Sequence, residues 1–114
     1  MADYIDWRGE SGQLYRYWVL ATVRPEGILA AGGNYGFFKT VPSGDLSPLY
    51  FGEAKDLKVR ISGHELLPEA VKLGCTHVMA HTTPAGEQAR LVEEKDLIRF
   101  WNPPLNIQHR KTAS

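Results

Sequence analysis

The sequence has one cysteine, no net charge and no long apolar run. Its single cysteine, Cys75, excludes an internal disulfide and a zinc site built from several cysteines. Thirteen basic residues balance thirteen acidic ones, so only a local basic patch, and not overall charge, can attract a polyanion. No segment reaches the roughly 18 apolar residues that a membrane-spanning helix needs. With 114 residues, 43% of them hydrophobic, the sequence predicts one folded domain.

The first half of the chain is rich in strand signals. Alternating aromatic and β-branched residues predict four strands, over Tyr4–Trp7, Leu14–Val23, Asn34–Thr40 and Leu49–Gly52. Turn-forming residues at 8–12 and 42–45 separate the members of each pair. The pattern therefore predicts two hairpins.

The second half changes to a helical period with one further strand. Asp56 is the predicted cap of the first helix, and Thr83 is the predicted cap of the last, which ends near Trp101 before two prolines. Between them the pattern predicts a short helix over Pro68–Leu73 and a strand over Thr76–Thr83. This order predicts an α+β fold with a small, mainly antiparallel sheet flanked by helices.

Two glutamates lie inside the apolar arc of the last helix. Glu93 and Glu94 share this arc with Leu91, Leu97 and Ile98. A carboxylate among core positions is costly unless it is paired or bound to a metal. Position alone favours a partly exposed rim residue or a salt bridge with an arginine, and a metal ligand is the alternative.

Arg60 and His64 are four residues apart, a spacing that predicts one face of the first helix. A guanidinium offers a fixed fork of donors for a phosphate, and an imidazole can move a proton near neutral pH. An ordinary solvated helix face is the competing interpretation. Residues 55–64, with Lys55 and Lys58, form one candidate basic patch, and residues 99–111 form the other.

Other candidate sites are excluded by geometry or context. His77 and His81 would lie about 13 Å apart on a strand, too far to share a metal. The glycine-rich segment 32–36 precedes a strand, whereas a phosphate-binding loop should follow a strand and open a helix. The tryptophans are predicted core residues and not base-stacking groups: Trp7, Trp18 and Trp101.

Five short segments, in the right order, resemble motifs of the GIY-YIG endonuclease superfamily. The resembling segments are Gly33-Asn34-Tyr35, Leu49-Tyr50-Phe51-Gly52, the run 52–64, Glu94-Lys95-Asp96-Leu97-Ile98 and Asn102-Pro103-Pro104-Leu105-Asn106. Asn34 and Phe51 depart from the usual isoleucine of the first two motifs, and about 32 residues precede the usual start of the domain. The resemblance covers about two thirds of the chain, Gly33–Asn106.

The resemblance implies a compact α/β sandwich and phosphodiester hydrolysis in DNA with one divalent metal, Mg²⁺ or Mn²⁺. The implied catalytic residues are Tyr35, Tyr50, Arg60, His64 and Glu94. Glu94 would bind the metal, and the implied substrate-binding residues are Lys55, Lys58 and Asn106. Tyr35 is the expected base or water-positioning group, and Tyr50 is the expected hydrogen-bond partner of the phosphate or the water, with the reverse assignment open.

We expect a single domain over 1–107 with a motif-bearing core at 33–106 and a flexible tail at 108–114. The extension 1–32 is expected to add a strand or hairpin to the sheet edge. DNA is the expected partner, and a homodimer or a separate DNA-targeting chain would supply specificity for repair, restriction or mobile-element roles. A soluble cytoplasmic protein is expected. The alternative function is a catalytically silent nucleic-acid- or protein-binding module that retains the fold.

Overall fold

Eight secondary-structure elements form the part of the chain that the computed structural model describes, residues 4–20 and 30–106. The strands are β1 (Tyr4–Arg8), β2 (Leu14–Val19), β3 (Gly33–Thr40), β4 (Leu46–Ala54) and β5 (Cys75–Thr82). The helices are α1 (Leu57–Ser62), α2 (Leu67–Lys72) and α3 (Glu87–Trp101). Five strands and three helices in this mixed order confirm the predicted α+β class.

All five strands belong to one antiparallel sheet with the spatial order β1-β2-β5-β3-β4. The first two strands form a hairpin, and β2 joins it to the sheet by pairing Trp18 with Ala80 and Val19 with Met79 of β5. This arrangement confirms that the N-terminal segment extends the sheet as a hairpin. It leaves β1 and β4 as the two edge strands.

The sheet separates two apolar clusters because successive strand residues point to opposite faces. On one face, α1 and α2 cover a cluster formed by Tyr35, Phe37, Leu49, Ala54, Leu57, Ile61, Ala70, Val78 and Ala80. On the other face, α3 covers a cluster formed by Trp7, Tyr17, Phe38, Phe51, Met79, Leu97 and Ile98. The result is the α/β sandwich that the resemblance implied. None of the described helices combines the length and apolarity needed to cross a membrane.

Several predicted boundaries in the first two thirds of the chain were wrong. Strand β2 ends at Val19, and residues 21–23 of the predicted strand lie outside the described residues. Strand β4 begins at Leu46, three residues before the predicted start. Helix α1 ends at Ser62, so His64 does not lie on it. The Asp56 cap itself is confirmed, because its carboxylate accepts the Val59 N–H at 3.1 Å.

The last helix begins later than its cap signal predicted. Helix α3 starts at Glu87, with Gly86 at the cap position and a positive φ of 98°, which favours glycine. The Thr83 N–H instead donates to the Gly32 carbonyl at 3.0 Å. Its hydroxyl donates to Asn34 Oδ1 at 2.9 Å. Thr83 therefore bonds to Gly32 through its N–H and to the buried amide of Asn34 through its hydroxyl, and it does not cap the helix.

The three tryptophans have different environments. Trp7 is buried and its ring stacks on Phe38 at 4.8 Å between centroids. Trp18 and Trp101 are 49% and 37% exposed, so the core prediction was wrong for both. Trp18 follows the inward-pointing Tyr17 on β2 and therefore points outward.

Candidate active site

Two neighbouring strands bring the motif tyrosines together. Tyr35 of β3 and Tyr50 of β4 lie on the same face, with ring centroids 6.0 Å apart. Gly52 pairs with Tyr35 across the two strands. A Cβ atom at this glycine would lie 2.6 Å from the Tyr35 hydroxyl oxygen. Gly52 therefore provides the space that the Tyr35 ring occupies.

His64 reaches the tyrosines from the turn after α1. Its Nε2 lies 2.6 Å from the Tyr35 hydroxyl oxygen, and its Nδ1 accepts the Leu66 N–H at 3.1 Å. Because Nδ1 is an acceptor, the proton of the neutral ring is on Nε2, which donates to Tyr35. Burial, with a smaller contribution from the positive charge of Arg60, lowers the pKa of His64 to about 4. The ring is therefore neutral at physiological pH.

The two tyrosine hydroxyls remain protonated at neutral pH. Burial raises the pKa of Tyr35 and of Tyr50, and the positive charge of Arg60 only partly offsets this effect. His64 thus donates to a neutral Tyr35 hydroxyl, and the Tyr35 ring neighbours that of Tyr50.

Arg60, in the last turn of α1, joins this cluster with its guanidinium. It forms a bidentate ion pair with Glu65, at 2.8 Å from Nη1 and 2.9 Å from Nη2. Its positive charge lowers the pKa of both Tyr35 and Tyr50, so it lies close to both hydroxyls. This ion pair lowers the pKa of Glu65 to about 2. Sequence reasoning missed Glu65, because helical periodicity does not juxtapose residues five apart. The turn that follows Ser62 does so.

Glu94 approaches the cluster from the opposite face of the sheet. Helix α3 packs on that face, but Glu94 reaches the edge strand β4, where the Glu53 N–H donates to its carboxylate. Burial, and then the negative charge of Glu53, raise the pKa of Glu94 to about 7. The charge of Glu94 in turn adds to the effect of burial on the pKa of Tyr50. The carboxylate thus acts electrostatically on one of the two hydroxyls.

A second carboxylate lies beside Glu94. Glu53 of β4 forms an ion pair with Arg90 of α3, with 3.1 Å between Arg90 Nε and Glu53 Oε2. Within residues 4–20 and 30–106, no three His, Cys, Asp or Glu side chains form a group that could hold a metal ion. The donors at Glu94 are carboxylate oxygens, which Mg²⁺ prefers, and Mg²⁺ often needs only one or two of them. The donor chemistry at Glu94 and Glu53 therefore fits a hard divalent cation.

Glu93, the other glutamate of the apolar arc, has a different set of contacts. It is buried, and Oε2 accepts the Tyr17 hydroxyl at 2.8 Å and lies 3.1 Å from His81 Nδ1. These contacts connect α3 to β2 and β5. The favoured interpretation, a partly exposed rim residue or an arginine salt bridge, was therefore wrong for Glu93, which is buried and pairs with a tyrosine and a histidine.

Asn34, a polar departure from the first motif, also connects α3 to the sheet. Its side chain is fully buried, and Nδ2 donates to the Arg90 carbonyl at 2.9 Å while Oδ1 accepts from Thr83. Both ends of the amide are satisfied. The hydrogen bond from Asn34 to α3 therefore explains why a polar residue occupies this buried strand position.

The three predicted substrate-binding residues are not among the contacts described for Tyr35 and Tyr50. Lys55 and Lys58 are exposed at the start of α1. Asn106 is buried, where its Oδ1 accepts the Phe51 N–H at 2.8 Å and its Nδ2 donates to the Phe51 carbonyl at 2.7 Å. Asn106 therefore holds the strand that carries Tyr50. In the second basic patch Arg99 is exposed, and residues 107–111 lie outside the described residues.

Comparison with known proteins finds similarity to UvrABC system protein C from Pseudomonas putida. The proteins of strains F1 and KT2440 are each 32% identical to this chain over 92 residues. The aligned part is 76% of this chain, and the chain spans about 15% of the length of these curated relatives. No family model and no solved structure matches the chain.

Proposed function

We propose that this chain is a metal-dependent endonuclease of the GIY-YIG type that hydrolyses phosphodiester bonds in DNA. The observation that carries the proposal is the clustering of Tyr35, Tyr50 and His64, whose ring centroids lie 5.1 to 6.0 Å apart. Arg60 lies close enough to this cluster for its charge to lower the pKa of both tyrosines. The negative charge of Glu94 raises the pKa of Tyr50, so a carboxylate also acts on this cluster. The motif resemblance and the partial similarity to UvrABC system protein C support a nuclease-type role in DNA processing.

In the proposed reaction Arg60 binds the non-bridging oxygens of the scissile phosphate. A guanidinium binds two such oxygens at once, and this contact strengthens as negative charge accumulates in the transition state. The charge of Arg60 lowers the pKa of both hydroxyls, so a phosphate bound there would lie close to Tyr35 and Tyr50. The anchoring role follows from its chemistry and position.

The tyrosines orient the attacking water as neutral hydroxyls. Tyr35 is fully buried and its hydroxyl accepts from His64, whereas Tyr50 is partly exposed, so the Tyr50 hydroxyl is the one available for water or phosphate. We therefore assign water positioning to Tyr50 and support of Tyr50 to Tyr35, the reverse of the expected order. Burial raises the pKa of both tyrosines, which argues against either acting as a tyrosinate base.

Glu94 would hold the divalent cation, with Glu53 as a neighbouring acid. A bound Mg²⁺ or Mn²⁺ supplies Lewis-acid stabilisation of charge on the phosphoryl and leaving oxygens. Lys55 and Lys58 would contact flanking phosphates, because both are exposed close to Arg60 in the chain. Asn106 would act indirectly, because its two hydrogen bonds to Phe51 hold the part of β4 that carries Tyr50.

Nicking of supercoiled plasmid in Mg²⁺ or Mn²⁺ tests the proposal. Wild type is compared with Glu94→Gln and with Glu87→Gln, an exposed glutamate in the first turn of the same helix. We expect Glu94→Gln to lose roughly 100-fold or more of the nicking rate and Glu87→Gln to retain it. Equal rates for wild type and Glu94→Gln would remove Glu94 from the mechanism. Metal-independent DNA binding without nicking would favour the silent binding module.

A further inference from the structure

The guanidinium assigned to the phosphate is already bound by an anion of its own chain. Both terminal nitrogens of Arg60 bind the two carboxylate oxygens of Glu65, at 2.8 Å and 2.9 Å. A carboxylate and a phosphate present the same pair of oxygens to a guanidinium fork. Glu65 therefore uses the donors that a phosphate needs.

The pair faces solvent on its Glu65 side. The side chain of Glu65 is 66% exposed and that of Arg60 is 37% exposed. Exposed ion pairs contribute little free energy, so an incoming anion can replace the carboxylate at small cost. Arg60 also lies close enough to Tyr35 and Tyr50 for its charge to lower the pKa of both hydroxyls. An anion that replaces Glu65 at the guanidinium would therefore lie close to both hydroxyls.

We propose that Glu65 is an intramolecular competitor for Arg60, which the substrate phosphate must displace before it can bind. This inference rests on the proposed function in one respect, since the displacing anion in DNA cleavage is a backbone phosphate. Glu65 thereby determines the affinity of the site for phosphate. Anions that cannot match the bidentate geometry of the carboxylate do not displace it, so Glu65 also acts as a specificity-determining residue.

The test follows the Arg60 Nε–H resonance while inorganic phosphate is added to the full chain. Wild type is compared with Glu65→Gln and with Glu69→Gln, which removes the same charge from an exposed residue paired with Lys72 at 3.5 Å. We expect Glu65→Gln to bind phosphate roughly 2- to 5-fold more tightly than wild type, the range expected for losing an exposed competing pair. Glu69→Gln should behave as wild type, and Glu65→Ala should repeat the Glu65→Gln result.

A second measurement uses duplex DNA in place of inorganic phosphate. The logarithm of the DNA-binding constant falls linearly with the logarithm of the salt concentration, and each phosphate contact adds to the slope. Removing Glu65 should steepen this slope by about one phosphate contact, while removing Glu69 should leave it unchanged. Unchanged or weaker phosphate binding in Glu65→Gln would overturn the proposal, because it would mean that Glu65 orients Arg60. An equal gain in phosphate affinity in Glu69→Gln would also overturn it, because the gain would then come from removing any negative charge and not from freeing Arg60.

The two proposals fail in distinguishable ways. If the wild type nicks plasmid but Glu65→Gln does not bind phosphate more tightly, only the competition is wrong. If phosphate binding tightens as expected but the wild type never cleaves DNA in Mg²⁺ or Mn²⁺, the competition stands and the nuclease proposal is wrong.

Discussion

Acid should destabilise this protein in part through His64. The ring is buried, its Nδ1 accepts the Leu66 N–H and its Nε2 donates to Tyr35. The pKa of His64 falls from 6.5 to about 4, chiefly by burial. The unfolded chain therefore binds the proton more tightly than the folded chain does. The corresponding stability is present above about pH 6.5 and is lost as the pH falls toward 4.

Linkage converts this difference into a free energy. Between about pH 7 and about pH 5, the free energy of unfolding should fall by about 2 kcal/mol through this one ring. Glutamine at position 64 can still donate to Tyr35 but does not titrate. We expect His64→Gln to lose about 2 kcal/mol less than the wild type over the same pH interval.

Urea unfolding followed by tryptophan fluorescence, at both pH values, measures this difference. Other titrating groups are common to the two proteins and cancel in the comparison. His77→Gln is the matched control, since it replaces a histidine on β5 whose Nδ1 contacts the Thr76 hydroxyl and not Tyr35. If wild type and His64→Gln lose the same free energy of unfolding between the two pH values, the imidazole of His64 does not have a lowered pKa in the folded protein.

Two further predictions concern the supports of the site. Asn106→Ala should reduce the free energy of unfolding by roughly 2–4 kcal/mol, because it leaves the buried N–H and carbonyl of Phe51 without their partner. Chemical denaturation measures this reduction, and a reduction below about 1 kcal/mol would contradict the prediction. A fragment of residues 33–114 should lose cooperative thermal unfolding and aggregate, because removing β2 exposes the β5 edge and Met79. A soluble fragment with a sigmoidal unfolding curve by circular dichroism would refute an integrated hairpin.

Strand positions were the most predictable part of the fold. Alternation of large apolar residues in β3 puts Tyr35 and Phe37 on one face and Phe38 on the other, and each face then needs its own helical cover. Side-chain periodicity carries this information locally. The sequence therefore predicted the sheet, the N-terminal hairpin and the Asp56 cap.

Contacts created by turns were the least predictable part. Helix α1 stops at Ser62, so the contact of His64 with Tyr35 depends on the turn and not on helical spacing. Glu65 meets Arg60 for the same reason. Likewise, Thr83 matched a helix cap locally, but a buried amide elsewhere in the chain, that of Asn34, competes for its hydroxyl. Long-range partners of this kind leave no local pattern.

The C-terminal segment determines how the sheet can grow. Asn106 bonds both main-chain groups of Phe51, and the Leu105 N–H bonds the Leu49 carbonyl at 3.1 Å, as a sixth strand would. The outer side of β4 is thereby closed to strand addition over these residues. For a second chain that pairs by its backbone, β1 is the other edge strand, and the strand order places it at the end of the sheet opposite β4 and Tyr50.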